Sequence, residues 1–117
     1  MQFMNTRFVP LLFALFLQAC GSEKPSSATV LEEGKGLIDS NDCKTCHHTT
    51  NKIMGPAYSD IAKKYSSTDE HVTMLAERII KGGSGNWGEI PMNAHTDISL
   101  EAAEKMAWYV LSLSDTE

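Results

Sequence analysis

The sequence predicts an all-α domain. Apolar residues recur at helical spacing in separate segments. Ser67-Thr68-Asp69-Glu70 has the form of a helix-starting box. No stretch alternates apolar and polar residues as a half-buried strand would. With 117 residues, the chain is long enough for one small domain. Ten Lys and Arg against fifteen Asp and Glu leave a net charge of −5, which excludes the basic stripe of a nucleic-acid binder. So small a domain buries a limited share of its surface and commonly needs a staple. Three cysteines are too few for a disulfide framework.

Residues 1–19 read as an export leader. Arg7 precedes the apolar run Phe8–Leu17, which is too short for a bilayer span of about 20 residues and right for a signal core of about 7–15. The run ends Leu17-Gln18-Ala19-Cys20-Gly21, which resembles a bacterial lipobox, whose cysteine becomes the lipid-bearing first residue. Cys43 and Cys46 sit close together and leave Cys20 as an odd thiol, which lipidation would consume. Removing Arg7 with the leader leaves nine basic against fifteen acidic residues, a net of −6. Residues 20–29 then form a lipidated cysteine and a small, polar, flexible tether. The domain proper is expected over 30–117.

Four helices are expected. The first covers about Val30–Ser40, with Leu31, Gly34, Leu37 and Ile38 along one edge. A glycine inside a helix costs about 1 kcal/mol, so Gly34 points to close approach by another helix. A short second helix covers about Tyr58–Tyr65. The third follows the Ser67 box, buries Val72, Leu75, Ala76, Ile79 and Ile80, and stops at Gly82-Gly83. Residues 84–98 read as a loop. The last helix opens near Ser99, with Ala102, Met106, Tyr109, Val110 and Leu113 on its buried face and Trp108 more exposed.

The chemistry is concentrated in Cys43-Lys44-Thr45-Cys46-His47. C-x-x-C-H is the sequence to which c-type haem is attached. Two thiols at this spacing can each add to one vinyl group of a single porphyrin, and the next residue can offer its imidazole to the iron. A redox dithiol would need a βαβ context, and a zinc ribbon a second ligand pair; neither is visible. A plain disulfide would leave His47 unexplained. Iron then needs a sixth ligand. Met74 and Met106 fall in helical patterns, where core filling is the ordinary role. His48 follows His47 too closely, Met54 comes only seven residues after it, and His71 stands in the first turn of a helix. Met92 lies in Glu89-Ile90-Pro91-Met92-Asn93, where Pro91 disfavours helix. Met92 is the expected ligand; His95 and an open position are the alternatives.

Met54-Gly55-Pro56-Ala57-Tyr58, Glu77–Gly82 and Asn86-Trp87-Gly88-Glu89-Ile90-Pro91-Met92 together resemble the short bacterial class I cytochromes c, over about Leu31–Leu113. The resemblance implies about four helices wrapped around one covalent haem c with its iron. It implies that the Pro56 carbonyl accepts from the His47 imidazole, and that Trp87 and Arg78 reach a haem propionate. It implies contact of Gly34 with the last helix near Tyr109. It implies a monomeric electron carrier rather than an enzyme, working on the periplasmic side of a membrane between transient redox partners such as a terminal oxidase or reductase. A fixed subunit of a respiratory complex, or a peroxidase or gas sensor in which Met92 dissociates, is the alternative. One departure stands out. His95 occupies the place where the family often has an Asn that contacts the methionine sulfur. His95 is therefore expected either to replace that donor or to leave the sulfur without one, and to make the potential vary with pH if it titrates near neutrality.

Overall fold

The computed structural model describes residues 27–114. The expected leader, Cys20 and the tether as far as residue 26 lie outside the described residues. In chain order, α1 (Ser27–Asp39) is followed by a single 3-10 turn (Asp42–Thr45), α2 (Tyr58–Lys64), α3 (Asp69–Lys81), β1 (Gly83–Gly85), β2 (Gly88–Met92) and α4 (Leu100–Leu111). All four expected helices are present. Ser27, Ala28 and Thr29, read as tether, are the first turn of α1.

The core centres on α4, against which α1, α2 and α3 all pack. Ile38, Tyr58, Ile61, Met106 and Val110 form one buried cluster, and Val72, Ala107 and Leu111 a second. Because three helices surround α4, its buried arc is wider than one stripe. Ala103, Met106, Ala107, Val110 and Leu111 are buried. The expected contrast between Tyr109 and Trp108 is absent: both are half-buried. Tyr109 packs on the first cluster and Trp108 on the second.

Where α1 crosses α4, Gly34 is buried. A β-carbon there would overlap the Lys105 carbonyl and stand 3.1 Å from Tyr109 Cβ, which is the crossing expected from the resemblance. Beside it, Lys105 Nζ bridges Glu33 of α1 at 2.7 Å and Glu101 of α4 at 3.1 Å.

The cap of α3 falls one residue later than the box suggests. Thr68 Oγ1 accepts from His71 N at 3.3 Å, while Ser67 Oγ donates to the Leu111 carbonyl at 3.2 Å. Thr68 has extended backbone angles and the chain turns into helix only after it. The Ser99 cap of α4 accepts from Ala102 N as expected.

The structure also corrects the reading of residues 84–98 as wholly loop. β1 and β2 form a two-stranded antiparallel hairpin, Gly83 opposite Met92 and Gly85 opposite Gly88. Its first strand is Gly-Ser-Gly and both strands are largely exposed. Main-chain pairing holds it, and β1 has no apolar side chain to leave a trace in the sequence. The hairpin ends at Met92.

Candidate functional site

The 3-10 turn sets the two thiols. Cys46 N and His47 N both donate to the Cys43 carbonyl, at 3.2 and 3.0 Å. Both thiols are free and half-buried. Burial pushes the Cys43 thiol up, and the neighbouring Asp42 charge adds to this, so the group is held as S–H. Cys46 Sγ donates to Met54 Sδ at 3.6 Å, which keeps Met54 beside the turn.

Residues 48–57 fold back on this turn. Gly55 N donates to the Cys46 carbonyl at 2.7 Å, Tyr58 N to His48 O at 3.0 Å and Ser59 N to Thr49 O at 3.0 Å. The backbone at Gly55 passes so close to the imidazole that a β-carbon would lie 2.6 Å from His47 Cε1. This brings the Pro56 carbonyl to 2.7 Å from His47 Nδ1. A carbonyl can only accept, so Nδ1 carries the proton and Nε2 is the ring nitrogen left to serve as a ligand. The Tyr58 ring stacks on the same imidazole, with centroids 5.5 Å apart and planes 19° apart.

Cys43, Cys46, His47, Pro56, Arg78, Trp87, Met92 and His95 line one cavity of about 470 Å³. Its size is typical of a site for a sizeable cofactor. Its apolar wall is Ile38, Ile61, Leu75, Ile79, Met106 and Val110. Met92 is half-buried at the hairpin end. Met106, 1% exposed, fills the core as its helical position suggested.

Arg78 and Trp87 border the cavity with protein partners of their own. Arg78 Nη1 donates to the Gly82 carbonyl at 3.1 Å, across the end of α3. Lys64 Nζ lies 4.4 Å from the centre of the Trp87 ring and donates to Asn86 O at 3.0 Å. Lys64 and Tyr58 were given no role by spacing alone. His95 does not stand free to approach the Met92 sulfur. Its Nε2 is 2.8 Å from Asp42 Oδ1 and its Nδ1 3.3 Å from the Ile79 carbonyl.

The residues present fit an iron porphyrin. Two thiols, an imidazole whose Nε2 is left to serve as a ligand and a thioether share one largely apolar chamber. The Tyr58 hydroxyl, on the wall of that chamber, is buried with no hydrogen-bond partner, and burial raises its ionisation far above the ordinary phenol range. A group in the chamber is the natural source of such a partner.

The family model described as "Cytochrome c" matches residues 31–114. Cytochrome c-552 of Nitrosomonas europaea is 42% identical over 77 residues, covering 66% of this chain and 75% of that protein. Cytochrome c-551 of Pseudomonas aeruginosa is 37% identical over 81 residues, covering 69% and 77%. The crystal structure of wild-type Nitrosomonas europaea cytochrome c552 superposes with a TM-score of 0.63 at 40% identity, covering 68% of this chain and 98% of that one.

Proposed function

This chain belongs to the cytochrome c family of electron carriers, which hold one covalent haem c, and from that premise we propose that it is a membrane-tethered periplasmic carrier whose haem iron is ligated by His47 and Met92. The observation that carries the reading is the single cavity shared by Cys43, Cys46, His47 and Met92. Bound there, haem supplies a one-electron iron couple.

The chain's own residues do the rest. Cys43 and Cys46 would hold the porphyrin as thioethers. Pro56 fixes the tautomer and tilt of His47. Gly55 and Tyr58 confine the ring. Met92 would offer a thioether, a ligand that raises the potential. With His47 and Met92 both holding it, the iron would have no place for substrate. The cavity mouth carries exposed Ile53, Met54, Trp87 and Ile90. Such a rim suits brief docking to a redox partner over less than about 1,200 Å². The net negative charge would steer the carrier to a positive patch, an attraction that fades with salt. The candidate roles of Arg78 and Trp87 toward a propionate belong to this proposal.

Met92→Ala in the holoprotein is expected to abolish the low-spin, methionine-ligated spectrum and to open the reduced iron to carbon monoxide. The unmodified protein should show no spectral change with carbon monoxide. An unaltered Met92→Ala spectrum, or carbon monoxide binding by the unmodified protein, would count against the ligand assignment.

The lipid anchor rests on Leu17-Gln18-Ala19-Cys20 and on the odd thiol. Acyl chains contribute about 0.8 kcal/mol per buried methylene, so two or more give stable anchoring. Cys20→Ser is therefore expected to move the protein from the membrane fraction to the soluble periplasmic fraction. Retention on membranes would overturn the anchor.

A further inference from the structure

His95 links two parts of the site that are far apart in sequence. Its backbone N–H donates to the carbonyls of Ile79 and Ile80, at 3.2 and 3.1 Å, and so seats residues 92–95 on the end of α3. Its ring reaches across to Asp42, 53 residues away, at the head of the turn that bears Cys43. The ring is well covered, 15% exposed, whereas Asp42 is 68% exposed. Both ring nitrogens face acceptors: a carboxylate oxygen and the Ile79 carbonyl. Only the doubly protonated imidazolium can donate to both.

We propose that His95 is a positioning residue that, through Asp42, clasps the Met92-bearing segment to the Cys43 turn, and that the clasp is closed while its ring is an imidazolium. The proposal rests on Met92 as ligand. It gives a role to the histidine three residues after Met92, at the place where the resemblance puts an Asn on the methionine sulfur.

The charged groups acting on His95 are Asp42 from the turn and Asp97 from its own segment; α3 contributes the Ile79 carbonyl at its C-terminal end. The Asp42 hydrogen bond, foremost, holds the imidazole above its ordinary 6.5 against the opposing effect of burial. The same bond holds the Asp42 carboxyl below 3.8. The raised histidine stabilises the fold fully below pH 6.5 and loses this as pH rises through its folded value. The lowered carboxyl stabilises above pH 3.8 and loses this as pH falls through its own. The clasp is thus closed between the two and opens on the alkaline side through His95.

The test uses the holoprotein. NMR titration of the His95 ring should give a midpoint above 6.5, and Asp42→Asn should bring it back towards 6.5. The absorption band reporting the sulfur–iron bond should be lost at lower pH in Asp42→Asn and in His95→Gln than in the unmodified chain. The double variant should lose it where the single ones do. Asp42 is exposed, so its variant tests the pairing even if His95→Gln folds poorly. An ordinary His95 midpoint in the unmodified chain, a midpoint unmoved by Asp42→Asn, or a band unaffected by both variants would overturn the clasp. Complete lack of the band in the unmodified holoprotein would instead defeat Met92 as ligand, and the titration alone would then decide the pairing.

Discussion

A chain carrying Cys43→Ser and Cys46→Ser together is expected to emerge colourless after denaturation and extraction, even from a host that attaches haem efficiently, and to fold poorly. Hydroxyls do not form the thioethers that the thiols can, so neither anchor survives. The effect on folding follows from the size of the cavity, about 470 Å³. Emptied of the porphyrin, the cavity leaves its apolar wall without packing partners, at about 1.5–3 kcal/mol for each large aliphatic side chain so affected and on the order of several kcal/mol in all. That is comparable to the whole stability of a small domain, about 5–15 kcal/mol. The same residues that wall the cavity, Ile38, Ile61, Met106 and Val110, are the main core cluster. The cofactor is therefore the staple that a chain of this size lacks in disulfides. A pyridine haemochrome spectrum of denatured protein, with circular dichroism of the native sample, measures both effects. Undiminished covalent haem in the double variant would sink the attachment assignment.

What was readable in the sequence was local. Cys43, Cys46 and His47 lie within five residues, and one turn of backbone brings them together. Pro91 and the lack of helical spacing singled out Met92, and its segment does end at the cavity. Helices appeared because their apolar faces repeat. The hairpin did not, because Gly83–Gly85 has almost no side chains to form a pattern and is set by pairing with β2. Long-range partners were also invisible. Nothing near His95 in sequence announces Asp42, and its position in the chain alone left open whether the histidine replaces the sulfur's donor or leaves the sulfur without one. Arg78 and Trp87 do reach the cavity, yet the Gly82 carbonyl and Lys64 that engage them depend on tertiary placement. The three-sided burial of α4 defeated the single-stripe reading of Trp108 and Tyr109 for the same reason.

Gly34→Ala is expected to destabilise the holoprotein by about 2 kcal/mol, although alanine is the better helix former by about 1 kcal/mol. The new methyl would overlap the Lys105 carbonyl, which is backbone and cannot swing aside, and would crowd Tyr109 Cβ. α1 and α4 must then separate, at an overpacking cost of about 1–3 kcal/mol or somewhat more where backbone is the obstacle. Separation would also disturb Ile38, buried on the same face of α1 and part of the main core cluster. Gly36, two residues along the same helix, is exposed and a β-carbon there meets nothing within 4 Å. Gly36→Ala should therefore raise stability by about 0.5–1 kcal/mol through helix propensity and a less flexible unfolded chain. Thermal unfolding separates the two signs: a midpoint lowered by roughly 8–16 °C for Gly34→Ala, and one raised by a few degrees for Gly36→Ala. The opposite signs matter more than either size, because propensity alone would move both variants upward. A Gly34→Ala protein as stable as its parent would mean that the α1–α4 crossing is looser than described, and that the glycine is not what allows the two helices to close around the site.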